Sequence, residues 1–324
     1  MQGADEKDET MIESIEWDGK RITKPGCYKN MPMSVYHGDC TDGPSISTTG
    51  LKKIFHNSPA VYWDSSYLNP ARAPDDETSA LIFGRAVHHL ILGEPHFAQV
   101  FAEQPSEYED EKTGEIKKWN GNAGACKRWD AARAKENRYV LTKKEVESIR
   151  GVAISLSTHP LVQAGILNGL VERSLFWKDK ATGIWLKQRP DVIPSDSGDI
   201  TDLKTIKDVE WDTLVDSLGK YGYYQQGALS REGLREVLGI EMQTFTLFFV
   251  EKDRPYSAWP VIVKDNDLDL GARCNRAALD IMARCLDEKI WPGPAGKDHH
   301  VSYIEMAEWR RKRIETKLSL MGYD

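Results

Sequence analysis

The chain reads as an α/β (α+β) protein in which a central sheet, mixed or antiparallel, is flanked by helices. Three observations predict this. Four apolar, β-rich runs, Ile184 to Ile193, Asp199 to Ile206, Gln243 to Val250 and Tyr256 to Val263, have the length and composition of strands. Helical periodicity lies on both sides of them, over Thr78 to Leu92, Thr142 to Leu156, Lys220 to Leu238 and Asp265 to Lys289. With 324 residues, 40% of them hydrophobic, the chain can bury a sizeable core in one large domain or two.

Taken in order, residues 1–43 mix acidic residues, Pro25, Pro32 and short apolar islands without a period, which predicts an extended leader. Ser47 to Phe55 reads as a capped amphipathic helix, and Ser58-Pro59-Ala60 opens another with proline in its first turn. Lys52 and Lys53 on the first are candidate phosphate contacts. Thr78 to Leu92 has the apolar density of a buried helix ending at Gly93. Gly84 and His88, four apart, share one of its faces, and the glycine lets another group come close there. Ser106 to Asn122 is polar and acidic, a loop. Asn122 to Arg138 and Thr142 to Leu156 follow as exposed helices, the second opened by a capping box of Thr142 and Glu145.

A short helix from Pro160 to Leu167 leads to a strand from Val171 to Lys178, so Glu172 stands at the threshold of the sheet. Two helical stretches, Asp208 to Leu218 and Lys220 to Leu238, follow the central strands, the second opening on Tyr221, Tyr223, Tyr224, Gln225 and Gln226. Glu251-Lys252-Asp253-Arg254-Pro255 joins the last two strands. Trp291-Pro292-Gly293-Pro294 ends the long helix that begins at Asp265. Tyr303 to Met321 forms a final helix whose Arg310-Arg311-Lys312-Arg313 run is a phosphate or subunit contact candidate. The chain thus divides into a leader (1–43), a main domain (44–294) and a C-terminal helix (295–324).

Composition excludes several classes. No run of about 18 apolar residues occurs, and the acidic start is unlike a secretory signal, so the protein is expected in the cytoplasm. Five scattered cysteines without a Cys-x-x-Cys pair argue against zinc, a disulfide scaffold and an iron–sulfur cluster. No phosphate-binding Gly-rich loop, His-Glu-x-x-His, Gly-x-Ser-x-Gly or dinucleotide fingerprint is present. The net charge of −7 is not a nucleic-acid binder's, but acidic residues concentrate in Asp5 to Glu16 and Glu107 to Glu115, which leaves room for a local basic groove.

What remains is the central pair of runs. Pro194-Ser195-Asp196-Ser197-Gly198 between them has the composition of a turn, so they are read as an antiparallel hairpin. A turn centred near Asp196 sets Asp191 almost opposite Asp202, with Cβ atoms roughly 5 Å apart. Facing carboxylates repel, and a proton, a cationic side chain or a metal ion must answer them. Lys204 projects to the same side as Asp202 while Leu203 points to the packed face. Hard oxygen ligands suit Mg²⁺, and a neighbouring lysine can steady a water or a phosphate oxygen. The arrangement suits phosphodiester hydrolysis, with a solvated strand face as the plainer alternative.

The order of Gly84-Arg85-Ala86-Val87-His88, Glu172, Arg189-Pro190-Asp191, Asp202-Leu203-Lys204-Thr205 and Gln226 resembles the PD-(D/E)xK nuclease superfamily. Within it the chain is similar to the catalytic domain of exodeoxyribonuclease VIII, the RecE exonuclease family, over roughly residues 33–294. The resemblance implies a central mixed sheet flanked by helices, a restriction-endonuclease-like core with helical N-terminal additions. It implies a metal site of His88, Asp191, Asp202 and the Leu203 carbonyl, with Lys204 orienting water, Glu172 holding the site or a water, and Gln226, by a choice of register over Gln225, supporting the lysine or the DNA. Lys52, Lys53, Arg85 and Arg189 are the candidate DNA contacts. One departure from the family pattern is Ser230, where a tyrosine is common four residues after the glutamine. Implied also are Mg²⁺, with Mn²⁺ as a substitute, 5′ to 3′ removal of nucleotides from linear duplex ends, a ring-shaped homotetramer and a RecT-like single-strand annealing partner.

Overall fold

The computed structural model describes residues 12–73, 78–194, 197–297 and 301–323. Residues 12–291 form one compact unit built on two five-stranded sheets. The site belongs to the sheet ordered Ala258–Ile262, Thr244–Glu251, Asp199–Ile206, Val192–Ile193, Leu170–Val171. Its two longest strands, Asp199–Ile206 and Thr244–Glu251, run parallel, with Asp202 beside Leu247 and Lys204 beside Phe249. Their connection passes through the helices Trp211–Lys220 and Tyr223–Leu238, the length a parallel crossover needs. All other pairs in this sheet are antiparallel, so the sheet is mixed.

Alternation along Thr244–Glu251 explains the layers on either side. Phe245, Leu247 and Phe249 enter a core with Leu229, Leu234, Leu268 and Met282 of the helices Tyr223–Leu238 and Asp265–Glu288. Phe248 and Val250, with Leu203, face the opposite way onto Phe83, Ala86 and Val87 of the helix Ser79–Ile91 and Val152 and Leu156 of Lys143–Ser157. A strand buried on both faces reads as an unbroken apolar run, as this one does.

The central pair departs from a simple hairpin. Trp185–Gln188 belongs to the other sheet, between Ser174–Lys178 and Ser45–Ser47, and only Val192–Ile193 pairs with Asp199–Ile206. Pro190 has no N–H to give a ladder, and the run changes sheets there. Ser195 and Asp196, the centre of the expected turn, lie outside the described residues.

The expected leader is another correction over residues 12–43. Gly26–Lys29 pairs with Ser174–Lys178, and Ile22, Tyr28, Met31, Tyr36 and Cys40 bury Phe176 and Trp185 on one face of this other sheet. Elements of two to four residues carry no period, so only their tertiary partners reveal them. The loop expected over 106–122 contains a small hairpin, Glu107–Glu109 with Ile116–Lys118. The Thr142 and Glu145 capping box is present, and all five cysteines are free and buried. Residues 292–323 form a second unit with the helix Glu308–Leu320, which is exposed throughout. Among the described residues no helix is long and apolar enough to cross a membrane.

Candidate active site

The Val192 to Thr201 register, carried one step back, sets Asp191 across from Asp202. Both are buried, at 8% and 2% exposure. They do different work. The Leu203 N–H donates to Asp191 Oδ2 at 2.7 Å, and His88 Nδ1 lies 3.3 Å from Asp191 Oδ1. On its other side, Asp202 Oδ1 accepts from Gln226 Nε2 at 2.6 Å, and its Oδ2 is ion-paired with Lys204 Nζ. The ammonium of Lys204 also lies 5.4 Å from the centre of the Tyr223 ring.

Packing explains how these groups reach one place. Phe83, Ala86 and Val87 anchor the helix Ser79–Ile91 on Leu203, which turns His88 toward Asp191. His89 points away, to the Pro95 carbonyl at 2.9 Å. Glu172 directly follows the strand Leu170–Val171, in left-handed backbone (φ 53°), and its N–H donates to the Asp191 carbonyl at 3.2 Å. Such a conformation in a residue with a Cβ is uncommon and marks a position that its surroundings fix. Ligand atoms of His88, Glu172 and Asp191 all lie within 4.8 Å of one another.

The charges are unequal in a way that suits a bound cation. Burial pushes the Glu172 carboxyl up, and the Asp191 charge adds to it, to about 7. Asp202 is raised by burial and by Asp191. Asp191 itself is held down: burial opposes its charge, but His88, Lys204 and the Leu203 N–H together outweigh burial. His88 is raised, since Asp191 overcomes the effect of burial. Lys204 is raised for the same kind of reason, Asp202 and Asp191 overcoming burial, so it is an ammonium at any ordinary pH. Three carboxyl groups share Lys204, the His88 imidazole and the Arg189 guanidinium, 3.8 Å from Glu172, and a divalent ion among them would let all three carboxyls ionise together. Two carboxylate oxygens and a ring nitrogen are suitable donors for one.

This centre opens on a cleft of about 1840 Å³ lined by His88, Glu172, Asp191, Lys204 and Gln226. Of the expected metal set, His88 and Asp191 meet there with Glu172, while the Asp202 carboxylate is engaged by Gln226 and Lys204; Leu203, expected to offer its carbonyl, packs its side chain in the core and also lines the cleft. Gln225 points away from the site, to His56 at 2.7 Å and Asn275 at 3.1 Å, so Gln226 alone of the two reaches the acids. Ser230 accepts from Gln188 Nε2 at 3.0 Å, and Thr48 donates to Gln188 Oε1 at 2.8 Å, a buried link between sheet and helices.

The expected DNA contacts separate into two groups. Lys52 and Arg85 line the cleft. Burial, then the Lys204 charge, hold the Lys52 ammonium down to about 8. Lys53 donates to Ser65 Oγ at 2.6 Å and does not line the cleft. Arg189 also lines the cleft, but its guanidinium is engaged by the protein: it lies 3.8 Å from Glu172, donates to Ser174 Oγ at 2.9 Å and to the Met31 carbonyl at 2.9 Å, and covers the Tyr36 ring. Sequence reasoning missed Lys207, Lys220, Lys252, Tyr221 and Tyr223, which also line the cleft. The tyrosine-rich opening of the second helix was their only signal.

A mixed sheet bearing Asp191 and Asp202-Leu203-Lys204 at the floor of a cleft defines the PD-(D/E)xK class. The chain belongs to the family described as PDDEXK-like domain of unknown function (DUF3799), whose model matches residues 47–302. No curated protein matches the sequence. Among solved structures, a candidate exonuclease from Eubacterium rectale is similar at 14% identity and TM-score 0.57, covering 87% of this chain and 98% of its own. That likeness shows the fold. A phage-related exonuclease from Haemophilus somnus (15% identity, TM-score 0.28, 63% of this chain and 95% of its own) and an alkaline exonuclease from Laribacter hongkongensis (10%, 0.23, 52% and 86%) are more distant.

Proposed function

We propose that the protein is a Mg²⁺-dependent exonuclease that degrades linear double-stranded DNA from its ends, 5′ to 3′, leaving single-stranded tails for recombination. The observation that carries this reading is the convergence of the His88, Glu172 and Asp191 cluster with Lys204 on one cleft wall. Membership of the PDDEXK-like family supports hydrolysis of a phosphodiester. The exonuclease part rests on the resemblance to exodeoxyribonuclease VIII, and on the candidate exonuclease that shares the fold. A ring-shaped homo-oligomer and a RecT-like annealing partner fit the same reading.

His88, Glu172 and Asp191 would hold the ion, which supplies Lewis acidity at the phosphodiester and acidifies water for attack. Lys204, whose ammonium Asp202 and Asp191 favour against burial, would donate a hydrogen bond to a phosphate oxygen or the attacking water. Asp202 fixes the ammonium in place, and Gln226 fixes Asp202. Lys52 and Arg85 would engage neighbouring phosphates along the cleft.

The test is incubation of linear and closed-circular duplex DNA with the protein and Mg²⁺, with and without chelator. Loss of the linear form alone, abolished by chelator, is expected, and release of 5′ nucleotides from end-labelled DNA fixes the polarity. Cutting of circles would make the protein an endonuclease. Survival of both forms would leave a DNA-binding or assembly protein.

A further inference from the structure

Tyr221 has no part in the centre described above, yet it stands in the same cleft. The residue is 48% exposed, at the end of the helix Trp211–Lys220. Large aromatic rings are usually covered, and this one is held in place without being covered. Lys52 Nζ donates to the Tyr221 carbonyl at 2.8 Å, and the Tyr221 N–H donates to the Ser217 carbonyl. Gly222, which follows, is in left-handed backbone, and a Cβ there would come within 2.6 Å of the Lys52 chain. The glycine therefore permits the lysine to cross behind the tyrosine.

The neighbours of the ring are of two kinds. Lys220 Nζ lies 5.4 Å from its centre, and Lys52 stands beside its backbone, which supplies positive charge. Tyr223 lies 5.6 Å away, centre to centre, and Tyr223 in turn is the ring 5.4 Å from Lys204 Nζ. A single aromatic residue thus separates Tyr221 from the lysine of the reacting centre. Cations for phosphates and a half-exposed aromatic ring for a base are the two parts of a single-strand binding platform.

We infer that Tyr221 is a substrate-binding residue on which a nucleobase stacks, close to the phosphate held at Lys204, with Lys52 and Lys220 taking the adjoining phosphates. This rests on the nuclease reading and adds to it the demand for an unpaired base. A base within a duplex is stacked on both faces, so the nucleotide at Tyr221 has left its pair or comes from a single-stranded end. Every base offers such a face, so the contact is indifferent to sequence, as an enzyme that proceeds along a strand requires.

Tyr221→Ala, Tyr221→Phe and Tyr221→Trp are compared in the full chain by two readouts. In Mg²⁺, digestion of linear DNA gives kcat and KM. In chelator, anisotropy of a fluorescent single-stranded oligonucleotide gives binding without cleavage. Loss of the ring is expected to weaken binding and raise KM about five- to a hundredfold with kcat little changed. Tyr221→Phe and Tyr221→Trp are expected to restore both. Abasic nucleotides at the end of the strand are expected to bring wild type and Tyr221→Ala together. Equal binding by wild type and Tyr221→Ala, or a loss that the aromatic variants do not restore, would overturn the inference. A wild type that binds the oligonucleotide through Tyr221 but digests nothing would overturn the nuclease reading instead.

Discussion

At the scale of single residues, the site depends on carboxyl groups kept close at a cost, and the cost is measurable. Glu172 titrates near 4.5 as an ordinary side chain and near 7 in the folded site. Between those values the unfolded chain loses its proton first, so the metal-free protein loses stability as the pH rises through that window. The change amounts to at most about 3 kcal/mol. Urea titrations in chelator at pH 5 and pH 8 should show that loss in wild type and a smaller one in Glu172→Gln, where the raised His88 and Asp202 still contribute. Asp202→Asn is expected to lower cleavage at least about a hundredfold in a protein that still folds but melts lower, because it opens no cavity yet takes from the buried Lys204 ammonium its charged partner. Residual wild-type cleavage would remove Asp202 from the centre. The opposition of Asp191 and Asp202 was legible in the sequence because side chains alternate in strands and a short turn fixes the register. Glu172 was expected there from the family resemblance alone, because its placement depends on a left-handed residue that no local pattern marks.

At the scale of elements, Gln226 is positioned by the contact between two helices. A Cβ on Gly271, in Asp265–Glu288, would come within 2.4 Å of the Tyr224 carbonyl oxygen, a backbone atom that cannot swing aside. Gly271→Ala is therefore expected to destabilise the protein by about 1–3 kcal/mol despite alanine's better helix propensity. It should also reduce cleavage by shifting Gln226 from Asp202. Denaturant unfolding and nuclease assay of the one variant check both outcomes. The long amphipathic helices were readable from their period, and the doubly buried strand from its unbroken apolar run. Two things escaped. Trp185–Gln188 and Val192–Ile193 read as one strand because both are apolar, although Pro190 sends them to different sheets. Residues 12–43 looked loose because their strands and helix are too short to show a period, although they cover Phe176 and Trp185. Removal of residues 1–43 is expected to yield insoluble or unfolded protein, where a dispensable leader would leave the melting temperature unaltered.

At the scale of the whole molecule, a net charge of −7 and a cleft with Lys52, Arg85, Lys207, Lys220 and Lys252 on its walls are compatible, since charge is distributed and not shared evenly. Binding that depends on these cations should weaken steeply between 50 and 200 mM salt, as counterions compete for phosphate. The fold class followed from composition and period, and the superfamily from five motifs in order. The division into two sheets did not follow, since it is set by which edges meet in space. Central to the account is that His88, Glu172 and Asp191 tolerate one another because a divalent cation joins them. Anomalous diffraction from crystals of the full chain soaked in Mn²⁺ tests this most directly. A manganese peak among those three side chains, lost in Asp191→Asn, is the result predicted; a saturated soak with no peak there would contradict it.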